Sequence, residues 1–289
     1  MLRLVLLVAS AVALLSSDVR AQQEIFRSGA LAVRADVSVT DGRKPVTGLS
    51  ASDFELRDEG VLQSVSLVDA EDVPLNVILA LDTSASTSGT RLSDLVSAAQ
   101  TLLAGLRPAD RAALTTFSHA VTPLVAPTDD LSRITAALSQ TSASGRTAVM
   151  DGVYVALTSA LGQPGRSLVV VYTDGADISS WLDQRDVVES AQRSNAVVYA
   201  VTTQAGARAI NALEAVANAT GGDLLRISET TQLREAFQTI LQGFRSRYIL
   251  AYSPTGVTAG GFHRLDVKVK RRGLSVKARP GYTGLQPAR

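Results

Sequence analysis

Two rhythms of apolar and polar residues divide this chain. From Leu31 onward Leu31, Val33, Ala35, Val37 and Val39 fall on one face, and Arg34, Asp36, Ser38 and Thr40 on the other. A period of two predicts a strand with one buried face. Asp41-Gly42 is a hairpin turn signal. Phe54 and Leu56 then alternate with charges, and Asp58-Glu59-Gly60 turns into Val61–Leu67. Residues 30–70 therefore read as a small antiparallel β piece. The same rhythm returns after Ser246, in Tyr248–Tyr252, in Leu265, Val267 and Val269, and in Leu274, Val276 and Ala278.

Between these flanks the period changes at Pro74. Leu75–Leu81 is an unbroken apolar run, which predicts a strand covered on both faces. Leu92, Leu95, Val96, Ala99, Leu102, Leu103 and Leu106 follow at helical spacing, and Pro108 ends that helix. Strands are predicted over Ala112–Phe117 and Val121–Val125, joined too closely to be anything but antiparallel. Leu131, Ile134 and Leu138 mark a helix, and another runs from Ala148 to Leu161. The rest alternates: strand Leu168–Tyr172, helix Asp186–Arg193, strand Val197–Val201, helix Ala209–Ala219, strand Asp223–Ile227 and helix Thr231–Phe244. Strands alternating with helices imply right-handed crossovers and a doubly wound, mostly parallel α/β sheet with helices on both faces.

Charge ties the two flanks together. Residues 36–72 carry an excess of acids, including Asp53, Glu55, Asp58 and Glu59, while residues 263–289 carry an excess of bases, including Lys268, Lys270, Arg271 and Arg272. The expectation is one β-sandwich-like module, built from residues 22–73 and 246–289, with the α/β domain of residues 74–245 inserted between them. The N-terminus reads as a processing signal: Met1-Leu2-Arg3, an apolar core from Leu4 to Leu15, and cleavage after Ala21. No later stretch is long and apolar enough for a membrane anchor. The mature protein is expected to be exported, periplasmic or extracellular. Cys is absent and only His119 and His263 supply imidazole, which removes thiol chemistry and His-rich zinc sites. A formal net charge of +1 implies no general affinity for nucleic acid or anionic membrane.

The candidate chemistry sits where the first core strand ends, at Asp82-Thr83-Ser84-Ala85-Ser86. One carboxylate and two hydroxyls within a single turn of chain suit a hard divalent cation that keeps some of its water. Gly145-Arg146-Thr147 precedes a helix, and Thr173-Asp174-Gly175 follows a later strand. In open sheets ligands gather at the carboxyl ends of the strands, where the winding reverses, so Asp82, Ser84, Ser86, Thr147 and Asp174 are expected to converge there. Two carboxylates about 4 Å apart repel by about 4 kcal/mol at an effective dielectric of 20, and a divalent ion between them reverses that sign.

These three segments resemble the parts of the metal-ion-dependent adhesion site of von Willebrand factor type A domains, present in the family's order. The resemblance covers about residues 74–245. It implies a six-stranded sheet with one antiparallel edge, which Val121–Val125 would supply. It implies a Mg²⁺ site, open also to Mn²⁺ or Ca²⁺, that takes a protein partner through an Asp or Glu carboxylate. By analogy Ser84 and Ser86 are direct ligands, Thr147 is direct or water-bridged, and Asp82 and Asp174 act mainly through water. The flanks, with Gly48-Leu49-Ser50-Ala51-Ser52-Asp53-Phe54 and Ala278-Arg279-Pro280-Gly281-Tyr282, resemble those of exported bacterial proteins with this domain.

Other readings compete for the same residues. Ser and Asp are common helix caps and turn residues. Asp151 and Asp177 are read as outer or solvated groups, and His119 as a loop histidine. Arg146 and Trp181, the sole tryptophan, are candidate partner contacts. The catalytic motifs of hydrolases, phosphate-loop enzymes and zinc proteases are missing, so no enzymatic activity is expected. A metal-independent scaffold module of an exported complex and a metal-dependent hydrolase are the alternative readings.

Overall fold

The computed structural model describes residues 32–284, so the signal sequence expected at residues 1–21 lies outside the described residues. In chain order the first strands are β1 (Val33–Asp41), β2 (Lys44–Pro45), β3 (Phe54–Asp58), β4 (Val61–Gln63) and β5 (Ser66–Val68). The α/β region follows as β6 (Leu75–Asp82), α1 (Thr90–Ala104), β7 (Arg111–Phe117), β8 (Val121–Thr128), α2 (Leu131–Ser139), α3 (Val149–Ala160) and β9 (Arg166–Thr173). It continues through α4 (Gln184–Arg193), β10 (Val197–Thr202), α5 (Ala207–Thr220), β11 (Asp223–Arg226) and α6 (Leu233–Arg245). The last strands are β12 (Tyr248–Tyr252), β13 (Gly261–Val269), β14 (Ser275–Lys277) and β15 (Gly281–Gly284).

The central sheet is six-stranded, in the order β11-β10-β9-β6-β7-β8. Every pair is parallel except β7 with β8, so β8 is the antiparallel edge. All eight residues of β6 are buried, as its unbroken apolar run requires. Period two sorts them between two cores. Leu79 and Leu81 pack with Leu95 and Leu102 of α1 and with Phe237 and Phe244 of α6. Ile78 and Ala80 face Val149 and Val153 of α3 and Leu213 of α5. The chain leaves β6 toward β7 and later returns to β6's other side with β9. The winding therefore reverses between β6 and β9, and their carboxyl ends open one crevice.

The flanking strands interleave. β1 pairs antiparallel with β12 and β14, β5 pairs with β12, and β3 pairs with β13. They build a five-stranded and a four-stranded sheet around Val37, Leu56, Leu250, Tyr252 and Leu265. The opposite charges meet across β3 and β13, where Glu55 faces Lys268 and Arg57 faces Asp266. The fold is thus a doubly wound α/β sheet carrying a small sandwich-like module drawn from both ends of the chain. The Val61–Leu67 run differs from its expected form: it is two strands, β4 in the four-stranded sheet and β5 in the five-stranded one. Ser64-Val65 between them carries the chain from one sheet to the other.

Candidate metal centre

The loop after β6 is shaped by Asp82. Its carboxylate is fully buried and accepts the Ser84 backbone N–H at 2.8 Å on Oδ1 and the Thr173 hydroxyl at 2.5 Å on Oδ2. The first bond curls the chain into an Asx-type turn that brings Ser84 and Ser86 to one side. Their hydroxyl oxygens lie 3.0 Å apart. Ser86 donates in turn to Asp174 Oδ1 at 2.6 Å, and Thr87 donates to the same oxygen at 3.1 Å. Asp174 sits one residue past the end of β9, as Asp82 ends β6, so adjacent parallel strands deliver both carboxylates to one crevice.

The Thr147 loop is stitched to the same place. Ala85 N–H donates to Gly145 O at 3.0 Å, and Ser144 N–H to Thr83 O at 2.8 Å. Gly145 has φ +79°, and a Cβ there would strike the His119 ring, so this turn is open only to glycine. Thr147 is 4 % exposed. A Cβ on Gly175 would lie 2.8 Å from the Thr147 hydroxyl oxygen and 3.6 Å from that of Ser86. Gly175 therefore leaves open the space between the Thr147 and Ser86 hydroxyls. Asp82, Ser84, Ser86, Thr147 and Asp174 are all brought to this crevice.

Burial is the main force on the Asp82 carboxyl, raising its pKa from 3.8 to about 6, with the Asp174 charge adding to the rise against the hydrogen bonds from Ser84 and Thr173. An anion held there in the metal-free protein is short of compensation. Asp174 already has a partner: Arg91, in the first turn of α1, places Nη1 3.2 Å from Asp174 Oδ2 and 3.0 Å from the Ser86 carbonyl oxygen. Sequence reasoning missed Arg91, because its reach back over the loop depends on where α1 starts.

Asp151 and Asp177 brace the surrounding loops. The Asp151 carboxylate accepts the N–H groups of Trp181 and Leu182, and that of Asp177 accepts those of Val149 and Met150 at the start of α3. Trp181 is 95 % exposed and Ile178 is 55 % exposed. Arg146 is exposed and makes no ion pair among the described residues. Among the described residues no group of three or more His, Cys, Asp or Glu is placed to hold a metal ion. The crevice gathers the carboxylates of Asp82 and Asp174 with the hydroxyls of Ser84, Ser86, Thr87, Thr147 and Thr173, all of them hard oxygen donors.

Residues 76–239 match the family model of the von Willebrand factor type A domain, more than half of the chain, and the chain belongs to that family. Domains of this family are characteristically non-catalytic structural or adhesion modules, and residues 76–239 form such a domain. Solved structures share the fold at low identity. A von Willebrand factor type A protein from Catenulispora acidiphila superposes with a TM-score of 0.53 at 13% identity, over 89% of this chain and 74% of that one. The D319A mutant of the PilB minor pilin from Streptococcus sanguinis gives 0.50 at 13% identity, over 61% of this chain and 62% of the pilin. Proximal thread matrix protein 1 from the mussel byssus, described with a zinc-occupied MIDAS motif, gives 0.53 at 13% identity, over 66% of this chain and 50% of that one. The chain thus spans less than two thirds of the length of the pilin and of the byssus protein. No curated protein matches the chain.

Proposed function

We propose that this protein binds another protein through a divalent cation held at the Asp82–Asp174 crevice. The observation that carries the reading is the continuous chain of oxygens from Ser84 through Ser86 to Asp174, with Thr147 against Gly175 and Asp82 beneath. Ser84, Ser86 and Thr147 would hold the ion directly, and Asp82 and Asp174 through water. When bound, the ion supplies a Lewis-acidic docking point for an Asp or Glu carboxylate of the partner. Mg²⁺ is the proposed ion, with Mn²⁺ or Ca²⁺ as substitutes; the byssus protein, described with zinc in its own MIDAS motif, supports a divalent cation here.

The protein's own residues set the rest. The buried Asp82 carboxylate positions the Ser84 backbone by a hydrogen bond and holds negative charge close to the ion. Trp181 and Ile178 give an exposed apolar rim, and Arg146 a positive one, against an acidic partner surface. The proposal places the mature protein outside the cytoplasm, on the strength of its N-terminal signal pattern. Among the described residues no helix is long and apolar enough to cross a membrane.

The test is capture of partners from the exported fraction with tagged wild-type protein and with Asp82→Asn, each with and without EDTA. Partners retained only by wild type, and only without EDTA, support the reading. Identical capture in all four arms overturns it. One observation favours a metal-independent scaffold as the second reading: Arg91 already neutralises Asp174 from within the chain. That reading predicts capture insensitive to EDTA.

A further inference from the structure

At the opposite end of the six-stranded sheet lies a second polar site. A cavity of about 480 Å³ opens where the start of β9, the end of α4 and both flanking sheets meet. It is separated from Asp82 by the length of β6, about 26 Å at 3.3 Å per residue. Arg34, Arg166, Arg193 and Arg279 line it, against Asp36 as the one lining carboxylate.

The charges do not cancel. Asp36 is taken by Arg166, whose Nε donates to Asp36 Oδ1 at 2.6 Å. Arg193 turns to Glu189 on its own helix. Arg34 is exposed on β1 and Arg279 is 8 % exposed, and neither has a carboxylate within ion-pair distance among the described residues. Arg279 spends Nε on Gly281 O at 2.6 Å, Nη1 on Asn195 Oδ1 at 3.1 Å and Nη2 on Gln192 O at 2.9 Å. A guanidinium has five N–H donors, so two remain beyond these three bonds. Burying it beyond ion-pair reach of a carboxylate is costly: desolvation pulls its pKa down against the opposing field of Asp36.

His263 adds a second directed group to the same wall. Its Nδ1 is held 2.9 Å from Asp58 Oδ1, and the ring stacks on Tyr282 with centroids 4.8 Å apart. The other ring edge, Nε2, faces Gly284 at the cavity. Val33 and Val257, both half-buried, contribute apolar surface beside these polar groups.

We propose that this cavity binds a small organic anion, its carboxylate or phosphate received by Arg279 and Arg34 beside His263, and its body laid on Val33 and Val257. The volume falls in the range of small-molecule sites, about 300–1,000 Å³. The planar fork of arginine matches both anionic groups. The site needs no divalent ion, so it stands or falls apart from the crevice at Asp82.

The test is titration of the full chain in EDTA with inorganic phosphate, glycerol 3-phosphate, succinate and, as an uncharged control, glycerol. Histidine-observed NMR reads the site directly, because His119 and His263 are the only histidines. The expected result is a saturable shift of His263 and not of His119, with at least one anion and not with glycerol. Response to the phosphates alone assigns a phosphate ligand; response to succinate alone assigns a carboxylate. Arg34→Gln, at an exposed position, is expected to keep the wild-type melting temperature and weaken binding about tenfold or more. Silence of His263 up to about 10 mM of every anion, a binding free energy of less than about 3 kcal/mol, would overturn the proposal. So would affinity unchanged in both Arg34→Gln and Arg279→Lys.

Discussion

In the metal-free protein, Asp82→Asn is expected to stabilise the fold. Asp82 is fully buried and its pKa stands at about 6 against 3.8. Each pKa unit corresponds to 1.36 kcal/mol, so keeping this group ionised at pH 7 costs the fold about 3 kcal/mol. The sign follows from where the protons sit. The folded state holds its proton more tightly than the unfolded state. Its contribution is therefore most favourable below about pH 4 and is lost as pH rises through about 6. An amide keeps the shape and one acceptor for the Ser84 N–H. It exchanges the charge-assisted bond from Thr173 for a neutral one, at a cost of about 1 kcal/mol. The net gain at pH 7.5 in EDTA is about 2 kcal/mol, or about 4–8 °C in melting temperature for a chain of this size. Urea unfolding of both proteins in EDTA at pH 7.5 and pH 4.5 measures it. The gap should shrink by about 2 kcal/mol at the lower pH, where wild-type Asp82 is protonated when folded. A less stable variant at pH 7.5, or a gap indifferent to pH, would refute the account of Asp82 as an uncompensated buried anion.

Three further outcomes are expected. Arg91→Gln should bind Mn²⁺ several-fold more tightly, because Arg91 is a competing cation on Asp174, while its metal-free stability falls by about 0.5–1 kcal/mol; paired calorimetry and urea unfolding show both. Gly175→Ala should press on the Thr147 hydroxyl, costing about 1–3 kcal/mol of stability and weakening Mn²⁺ binding, read by the same two measurements. Trp181→Ala should change stability by less than about 0.5 kcal/mol, since the side chain is almost wholly in solvent, yet reduce partner capture in the pull-down assay.

Much of the architecture follows from local pattern. The β6 run is apolar on both faces because helices cover both, and that made it legible without coordinates. β15 was not, because Gly-Tyr-Thr-Gly offers a single large apolar side chain; Tyr282 earns its burial by reaching Asp58 across the module. The start of α4 at Gln184 was missed because Asp183 and Asp186 form a capping box that reads in sequence as a charged loop. At the crevice, Asp82, Ser84 and Ser86 are near neighbours in the chain, so their shared chemistry was visible locally. Thr147 and Asp174 entered through the family resemblance and the rule that ligands gather at the reversal of the winding. Arg91 and Arg279 act through long side chains whose targets depend on packing, and Arg279 meets Asn195 across 84 positions. No spacing in the sequence announces such contacts.

The oxygen cluster at the carboxyl ends of β6 and β9 is tested most directly by calorimetric titration of Mn²⁺ into chelator-stripped wild type and into Thr147→Val, which removes one oxygen and keeps the side chain's shape. One ion bound per wild-type chain, with affinity about tenfold or more weaker in an equally folded variant, is the expected result. Wild-type heats no different from buffer, or the same curve for both proteins, would contradict it.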